Sequence, residues 1–80
     1  MCLGIPMQVM AVNGYVARCN AKGIERDVSL FLLQDQAVSL GDWVMVHVGY
    51  ALQKMSAQEA RSAWELYDRI LAAEEAAPDA

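Results

Sequence analysis

The 80-residue sequence is poor in basic residues, because six lysines and arginines stand against ten acidic residues and the net charge is −4. A protein that binds nucleic acid needs a basic stripe to contact the phosphates, and the sequence contains none. We therefore expect no nucleic acid partner. A chain of this length forms one small domain with a single core, so that a large enzyme is not expected either.

The sequence also lacks a hydrophobic run of the ~20 residues that a membrane-spanning helix needs. A secretory signal is not indicated, since Gly4, Pro6 and Gln8 interrupt the hydrophobic residues early. We expect no membrane association and a cytoplasmic location. In that compartment the two cysteines, Cys2 and Cys19, are expected to stay reduced.

A closed zinc site is not indicated, because the sequence has no C-x-x-C pair. Cys2, Cys19 and His47 offer three soft ligands, and a fourth ligand would have to be a carboxylate. We interpret Cys19 instead as a small core residue at the end of a strand.

Cys2 directly follows the initiator methionine, and a cysteine there is small enough that Met1 is expected to be removed. The terminal residue would then carry a free amine and a thiol together. A protonated amine beside the sulfur favours the thiolate, the form that attacks electrophiles or binds metal. For a lone Cys2 the alternative is an accident of the start site.

The first two thirds of the chain have the pattern of short strands, in the segments "MQVMAV", "YVARC", "IERDVSLFLL" and "WVMVHV". Asn13-Gly14 predicts a tight hairpin turn between the first two segments. "NAKG" predicts a second turn, and the polar stretch "QDQAVSLGD" ends in a third. Gly49 is expected to break or kink the last strand.

The two-residue period of a strand predicts which side chains face the interior. On one side of the third segment lie Val28, Leu30 and Leu32. The residues expected to fill the interior from the fourth segment are Val44, Val46 and Val48. The same period places on the outer face Trp43, Met45 and His47.

The last third of the chain predicts one helix. Ser56 and Glu59 form a capping box at its start. One apolar stripe follows, made of Ala60, Ala63, Trp64, Tyr67, Ile70 and Leu71. Several strand-length segments and a terminal helix predict a mainly β protein, a small OB-like β-barrel with the helix packed on it. We expect one domain over residues 1–75, with strands at about 7–54 and the helix at about 56–75, and a flexible acidic tail over residues 76–80.

His47 is the only histidine. It could simply hydrogen-bond to a neighbouring backbone group. Its position at the end of a strand before Gly49, where a bend could admit another chain, favours a role in binding.

Three blocks together resemble one known family: "MCLGIP" at the start, "GIERDV" at residues 23–28 and "GDWVMVHVGYA" at residues 41–51. In this order, and with the capped helix "SAQEARSAWELY", they resemble the HypC/HupF/HybG family of [NiFe]-hydrogenase assembly chaperones over residues 1 to about 67. The sequence departs from many relatives at Met7, where they have glycine, and in a short loop before Gly41.

The resemblance implies a carrier and not an enzyme. Proteins of this family bind a HypD-type iron–sulfur scaffold protein and hold iron while its cyanide and carbonyl ligands are installed. They then deliver Fe(CN)2CO to the precursor of the hydrogenase large subunit. The resemblance assigns Cys2 to the iron contact and His47 to an iron or partner contact. The partner-binding residues implied are Cys2, Leu3, Gly4, Ile5, Pro6, His47 and Gly49. No tightly bound cofactor is expected beyond the transient iron.

Two other functions fit single features of the sequence. A cysteine at the start can act as nucleophile with its own amine as base, as in N-terminal amidohydrolases, but that fold needs a much longer chain. An OB-like module that binds nucleic acid or another protein, without a metal role, fits the predicted barrel. For a nucleic acid ligand its aromatic residues should be surrounded by positive charge, which this sequence does not offer.

Overall fold

The computed structural model describes the backbone of residues 4–76 and the side chains of residues 4–73. Five strands form a closed barrel in the order β1-β2-β3-β5-β4. The elements are β1 (Ile5–Asn13), β2 (Val16–Ala21), β3 (Ile24–Ser29), β4 (Trp43–His47), β5 (Tyr50–Met55) and the helix α1 (Ala57–Ala76). A 3-10 turn (Phe31–Leu33) follows β3. The predicted mainly β barrel with a C-terminal helix is confirmed. Most of the predicted tail lies outside the described residues.

Strand β1 pairs with a different neighbour in each of its halves. Its first half pairs antiparallel with β4, from Ile5↔Val46 to Gln8↔Trp43. Its second half pairs antiparallel with β2, and the register shifts between Val9 and Ala11. Such a bulge bends the strand, which allows β1 to pass from one neighbour to the other.

Two-residue turns connect three of the strand pairs. The predicted hairpin between β1 and β2 is confirmed, but its central residues are Gly14 and Tyr15, one position later than expected, since Asn13 still pairs with Val16. Gly14 has a φ of +65°, a value that a glycine at the first central position adopts without steric cost. The turn predicted at "NAKG" is Lys22–Gly23, where both residues have positive φ.

The barrel interior is filled by small and β-branched side chains. Its buried residues are Met7, Val9, Ala17, Cys19, Ala21, Val28, Leu30, Leu33, Val44, Val46 and Ala51. The prediction that Cys19 is a core residue is confirmed. The prediction that Leu32 shares one side with Val28 and Leu30 is wrong, because Leu32 is 54% exposed whereas the other two are buried. The chain leaves the strand after Ser29, and the three-residue period of the 3-10 turn buries Leu30 and Leu33 instead.

The interior prediction for β4 is right for two of its three valines. Val44 and Val46 are buried, whereas Val48 is 78% exposed. The strand ends at His47, and Val48 occupies the turn that leads into β5. The two-residue alternation therefore stops one residue before Val48, and the prediction for this residue is wrong.

Helix α1 begins with the predicted capping box. The Ser56 N–H donates to Glu59 Oε1 at 2.8 Å, and the Glu59 N–H donates to Ser56 Oγ at 3.0 Å. The predicted apolar stripe is only partly covered, because Ala60 is buried but Ile70 and Leu71 are exposed. No helix within residues 4–76 is long and apolar enough to span a bilayer.

Candidate functional site

The two ends of the barrel differ in how they are filled. At one end, which we call the closed end, Leu30 and Leu33 are buried beneath the 3-10 turn. The Leu30 N–H donates to the Tyr15 carbonyl at 2.6 Å, and the Tyr15 and Phe31 rings meet edge to face at 6.1 Å. These contacts join the 3-10 turn to the β1–β2 hairpin and cover this end of the core.

At the other end an apolar groove of about 650 Å³ is open to solvent. Its buried wall is formed by Met7, Ala21, Val28 and Val46. Exposed apolar residues surround this wall, namely Ile5, Ile24, Val48 and Leu71. The groove therefore brings together β1, β3, the turn between β4 and β5, and α1. Concave apolar surfaces of this kind are the usual places where proteins bind ligands or peptide segments.

Several residues that the sequence singled out meet at this groove. His47, Gly49 and Ile5 line it. His47 shares the half-buried outer face of β4 with Trp43 and Met45, as predicted, and stands where that face meets the groove. Cys2 and Leu3, the other candidates from the start of the chain, lie outside the described residues.

The helix holds the start of β1 in place. The Trp64 indole N–H donates to the Pro6 carbonyl at 2.9 Å, and the Tyr67 hydroxyl donates to the Gly4 carbonyl at 2.8 Å. A Cβ on Gly4 would overlap the thioether of Met45, so that a larger residue could fit there only if Met45 moved. Two helix aromatics and a close packing contact thus position the segment that follows Cys2.

The turn at the edge of the groove has an unusual backbone. Val48 has a φ of +51° and Gly49 a φ of +79°, and His47 pairs with Tyr50 across them. Positive φ at both central positions is the pattern of a type I′ turn, for which asparagine and glycine are favoured. A β-branched residue in this region is strained. The turn thereby presents the exposed Val48 side chain beside His47.

One ion pair lies at the edge of the groove, and two more lie on the outer face of the barrel. Lys22 Nζ lies 2.8 Å from Asp68 Oδ2 and 5.1 Å from the centre of the Trp64 ring. On this outer face, Arg18 of β2 donates to Asp27 of β3 at 2.9 Å and to Glu25 of β3 at 3.1 Å. The hydrogen bonds that Arg18 donates to Asp27 and then to Glu25 raise the pKa of Arg18 above its ordinary value. These pairs are exposed, so they orient side chains more than they stabilise the fold.

Cys19 and His47 are separated by the barrel wall. Cys19 is a free, fully buried thiol, and this burial raises its pKa, which disfavours the thiolate. Among residues 4–76, no group of three His, Cys, Asp or Glu side chains is placed to hold a metal ion. Cys19 is therefore a structural residue and does not form a site with His47.

The sequence interpretation missed the roles of Trp64 and Tyr67, which it assigned to the apolar stripe. Their polar tips were the available signal, because an indole N–H or a phenol hydroxyl that becomes buried usually finds an acceptor. The carbonyl acceptors at Gly4 and Pro6 could not be identified from spacing, since they lie about sixty residues earlier in the chain. The exposed Val48 was missed because the end of β4 was placed one residue too late.

Comparison of the sequence with known proteins points to one family. The profile described as the HupF/HypC family matches residues 1–67. The hydrogenase maturation factor HypC of Helicobacter hepaticus is 39% identical over 72 residues, which cover 89% of this chain and 83% of that protein. HypC of Escherichia coli is 38% identical over 65 residues, covering 76% and 72%.

A second factor of Escherichia coli gives the same result. Its hydrogenase maturation factor HybG is 40% identical over 67 residues, which cover 78% of this chain and 82% of that protein. The matched residues include the N-terminal block, all five strands and the first half of α1. The resemblance noted in the sequence is thus confirmed, and the chain belongs to the HupF/HypC family.

Proposed function

We propose that this protein is a hydrogenase maturation chaperone of the cytoplasm. With a HypD-type iron–sulfur scaffold protein it carries Fe(CN)2CO through Cys2 and delivers it to the large-subunit precursor of a [NiFe]-hydrogenase. Relatives named hydrogenase maturation factors HypC and HybG support the general role. The observation that carries the proposal is that Ile5, three positions after Cys2, lines one apolar groove together with His47 and Gly49.

Cys2 supplies the chemistry in this proposal. A thiolate is a soft ligand that suits iron carrying cyanide and carbonyl, and a single protein sulfur can be exchanged for a ligand of the next protein. A closed set of four protein ligands would hold the metal too firmly for transfer. The iron unit is therefore the cargo, and the protein acts as a carrier and not as an enzyme.

The groove supplies the docking surface. Its wall is apolar and its edge carries charges of both signs, an arrangement typical of surfaces that bind another protein. Trp64 and Tyr67 fix the backbone of Pro6 and Gly4, and Cys2 stands two positions before Gly4 in the sequence. In this proposal Cys2 contacts the iron at a partner that is bound in the groove. His47 then contacts the partner or the iron at the same place.

A matched pair of cysteine variants tests the proposal. Cys2→Ala should fold with an unchanged melting temperature and should abolish hydrogenase maturation when it complements a deletion strain. Cys19→Ala should lose some stability through packing and should keep maturation, because its thiol is enclosed in the core. Hydrogenase activity, iron content and the scaffold protein captured from the same cells are the measurements.

Three outcomes would contradict the proposal. Wild-type activity with alanine at position 2 would remove Cys2 from the mechanism. Loss of iron in Cys19→Ala at an unchanged fold would mean that Cys2 and Cys19 bind the iron together. A gel shift of single-stranded nucleic acid by the purified protein would instead support the OB-like binding module.

A further inference from the structure

We propose that the free edge of β3 binds an extended apolar segment of a partner protein, which carries a carboxylate and adds to the barrel as a further strand. That the partner is a maturation protein rests on the proposed function. The binding mode itself rests on the backbone, the groove and the charges of β3.

Strand β3 has one satisfied edge and one open edge. It pairs with β2 along its whole length, from Ala21↔Ile24 to Val16↔Ser29. It pairs with β5 only at Ser29↔Tyr50. Within residues 4–76, the positions 24–28 have no strand partner on that side, and the side chains of residues 24–27 are exposed. An unpaired edge of this kind is a template for another strand.

The register determines which backbone groups face the open edge. The two-residue turn Lys22–Gly23 makes Ala21 and Ile24 a hydrogen-bonded pair, and hydrogen-bonded pairs then alternate along the ladder. Arg26 consequently bonds to β2, whereas Glu25, Asp27 and Ser29 point their N–H and carbonyl groups outward. The hydrogen bond from the Ser29 N–H to the Gly49 carbonyl, at 2.8 Å, agrees with this alternation.

The groove lies directly beside the open edge. Ile24, Arg26 and Val28 share the face of β3 that turns toward it, since their partners Ala21, Cys19 and Ala17 are buried in the barrel. Alternate side chains of an added strand would point to this same face. They would cover the apolar wall that residues such as Met7 and Val46 now form. Backbone pairing and side-chain burial would therefore occur together.

The charges indicate what the segment carries. Arg18 is paired with Glu25 and Asp27, and Lys22 is paired with Asp68. Arg26 has no carboxylate within 4 Å among the described side chains, and its guanidinium donates to the Glu25 carbonyl at 2.9 Å. That carbonyl is one of the outward groups of the open edge. An arriving strand would take over this acceptor and would leave the guanidinium available for a carboxylate.

Nuclear magnetic resonance of the 15N-labelled protein tests the binding mode with a defined probe. The probe is the peptide acetyl-Val-Thr-Glu-Thr-Val-amide, and its control has lysine in place of glutamate. We expect the glutamate peptide to shift and protect the amides of Glu25 and Asp27, and to bind about tenfold more tightly than the control. The preference should reverse in Arg26→Glu. Shifts confined to other strands, or equal binding of both peptides, would overturn the proposal.

A second pair of variants isolates the backbone contribution. Asp27→Pro removes an outward N–H and leaves the ladder with β2 intact, whereas Asp27→Ala removes only the same side chain. The peptide should bind about tenfold more weakly to the proline variant than to the alanine variant. Equal affinities would overturn strand addition. Should Asp27→Pro not fold, Glu25→Pro and Glu25→Ala provide the same comparison.

Two further measurements identify the occupant. If the free protein is a dimer and this dimer dissociates in Asp27→Pro, the edge of β3 binds a second copy of the chain. That result would overturn the proposal of a partner segment. Capture of the scaffold protein or the hydrogenase precursor should fall in Asp27→Pro and persist in Asp27→Ala. Because the peptide titration needs neither iron nor hydrogenase, its failure would leave the proposed function standing, and failure of the Cys2 test would leave strand addition standing.

Discussion

The closed end of this barrel and the end that carries the groove, the groove end, contain similar apolar residues. The two ends differ in how far these side chains are buried. At the closed end, Leu30 and Leu33 of a short 3-10 segment fill the interior. At the groove end, Ile5 and Ile24 have the same apolar character but remain about half exposed. The closed end therefore contributes stability, while the groove end keeps apolar surface available for a partner.

The backbone shows the same difference. Loop residues at 41 and 42 exchange hydrogen bonds with Val9, at 2.9 Å and 2.8 Å, where β1 is bulged. Lys54 donates to the Ala37 carbonyl at 2.8 Å and lies 3.3 Å from Asp42, whose pKa is lowered mainly by the Ser39 N–H. The groove end instead has a strained turn at Val48 and an unpaired strand edge. Strain and unused hydrogen-bonding groups thus lie where binding is proposed.

The largest expected effect comes from the closed end. Leu33→Ala should lower the free energy of unfolding by about 2–5 kcal/mol, because it leaves a cavity under the 3-10 turn. Ile24→Ala, its counterpart at the groove, should change stability by no more than about 0.5 kcal/mol. Chemical denaturation measures both. An equal loss in the two variants would show that the groove end is packed as a core.

Cys19 lies in the interior between the two ends. Its replacement should lower the free energy of unfolding by less than Leu33→Ala does, and the size of this loss should depend on pH. Cys19→Ala should lower the free energy of unfolding by about 1–2 kcal/mol, because packing contacts of the thiol are lost. Burial raises the pKa of this thiol, so the native state keeps its proton at a pH where the unfolded chain ionises. The stabilising contribution is full below pH ~8.5 and is lost as the pH rises through the native pKa.

Unfolding curves of wild type and Cys19→Ala between neutral pH and the alkaline range check this. The stability difference between the two proteins should shrink above pH ~8.5. A difference that stays constant, or that grows with pH, would mean that Cys19 is solvated in the native state.

His47 should separate binding from stability at the groove end. His47→Ala should change the free energy of unfolding by about 0.5 kcal/mol or less, as expected outside the core. The variant should bind the scaffold protein about tenfold more weakly, the equivalent of about 1.4 kcal/mol, or should reduce the iron occupancy of the complex about tenfold. A thermal melt paired with a pull-down measures both. If the variant unfolds while its folded fraction still binds partner and iron normally, the histidine is structural.

A substitution in the turn beside His47 should raise the stability of the protein instead of lowering it. Val48→Asn should raise the free energy of unfolding by about 1 kcal/mol, because asparagine tolerates the left-handed conformation better than a β-branched residue. Gly49→Ala is the control, and it should lower stability by about 1 kcal/mol through the backbone alone, since an added Cβ would meet nothing within 4 Å. Denaturation midpoints check both. A stability loss in Val48→Asn would show that the valine side chain is packed.

Local patterns were enough to predict most of the elements. The capping box at Ser56 and Glu59 locates the start of α1 because both partners of its hydrogen bonds lie within one turn. The alternation in β4 correctly places Val44 and Val46 inside and His47 outside. It could not reveal that the strand ends at His47, because valine is a favourable strand residue and the φ of Val48 is imposed by pairing of the flanking strands.

The sequence by itself determined the barrel, the terminal helix, the enclosed Cys19 and the family, since each depends on neighbouring residue types or on motifs that can be read in order. Only the tertiary structure decided that Ile5, His47 and Gly49 share one groove, that Trp64 and Tyr67 hold the start of β1, and that β3 keeps a free edge. These features depend on contacts between residues far apart in the chain. Their geometry follows from closure of the barrel, which no local pattern encodes.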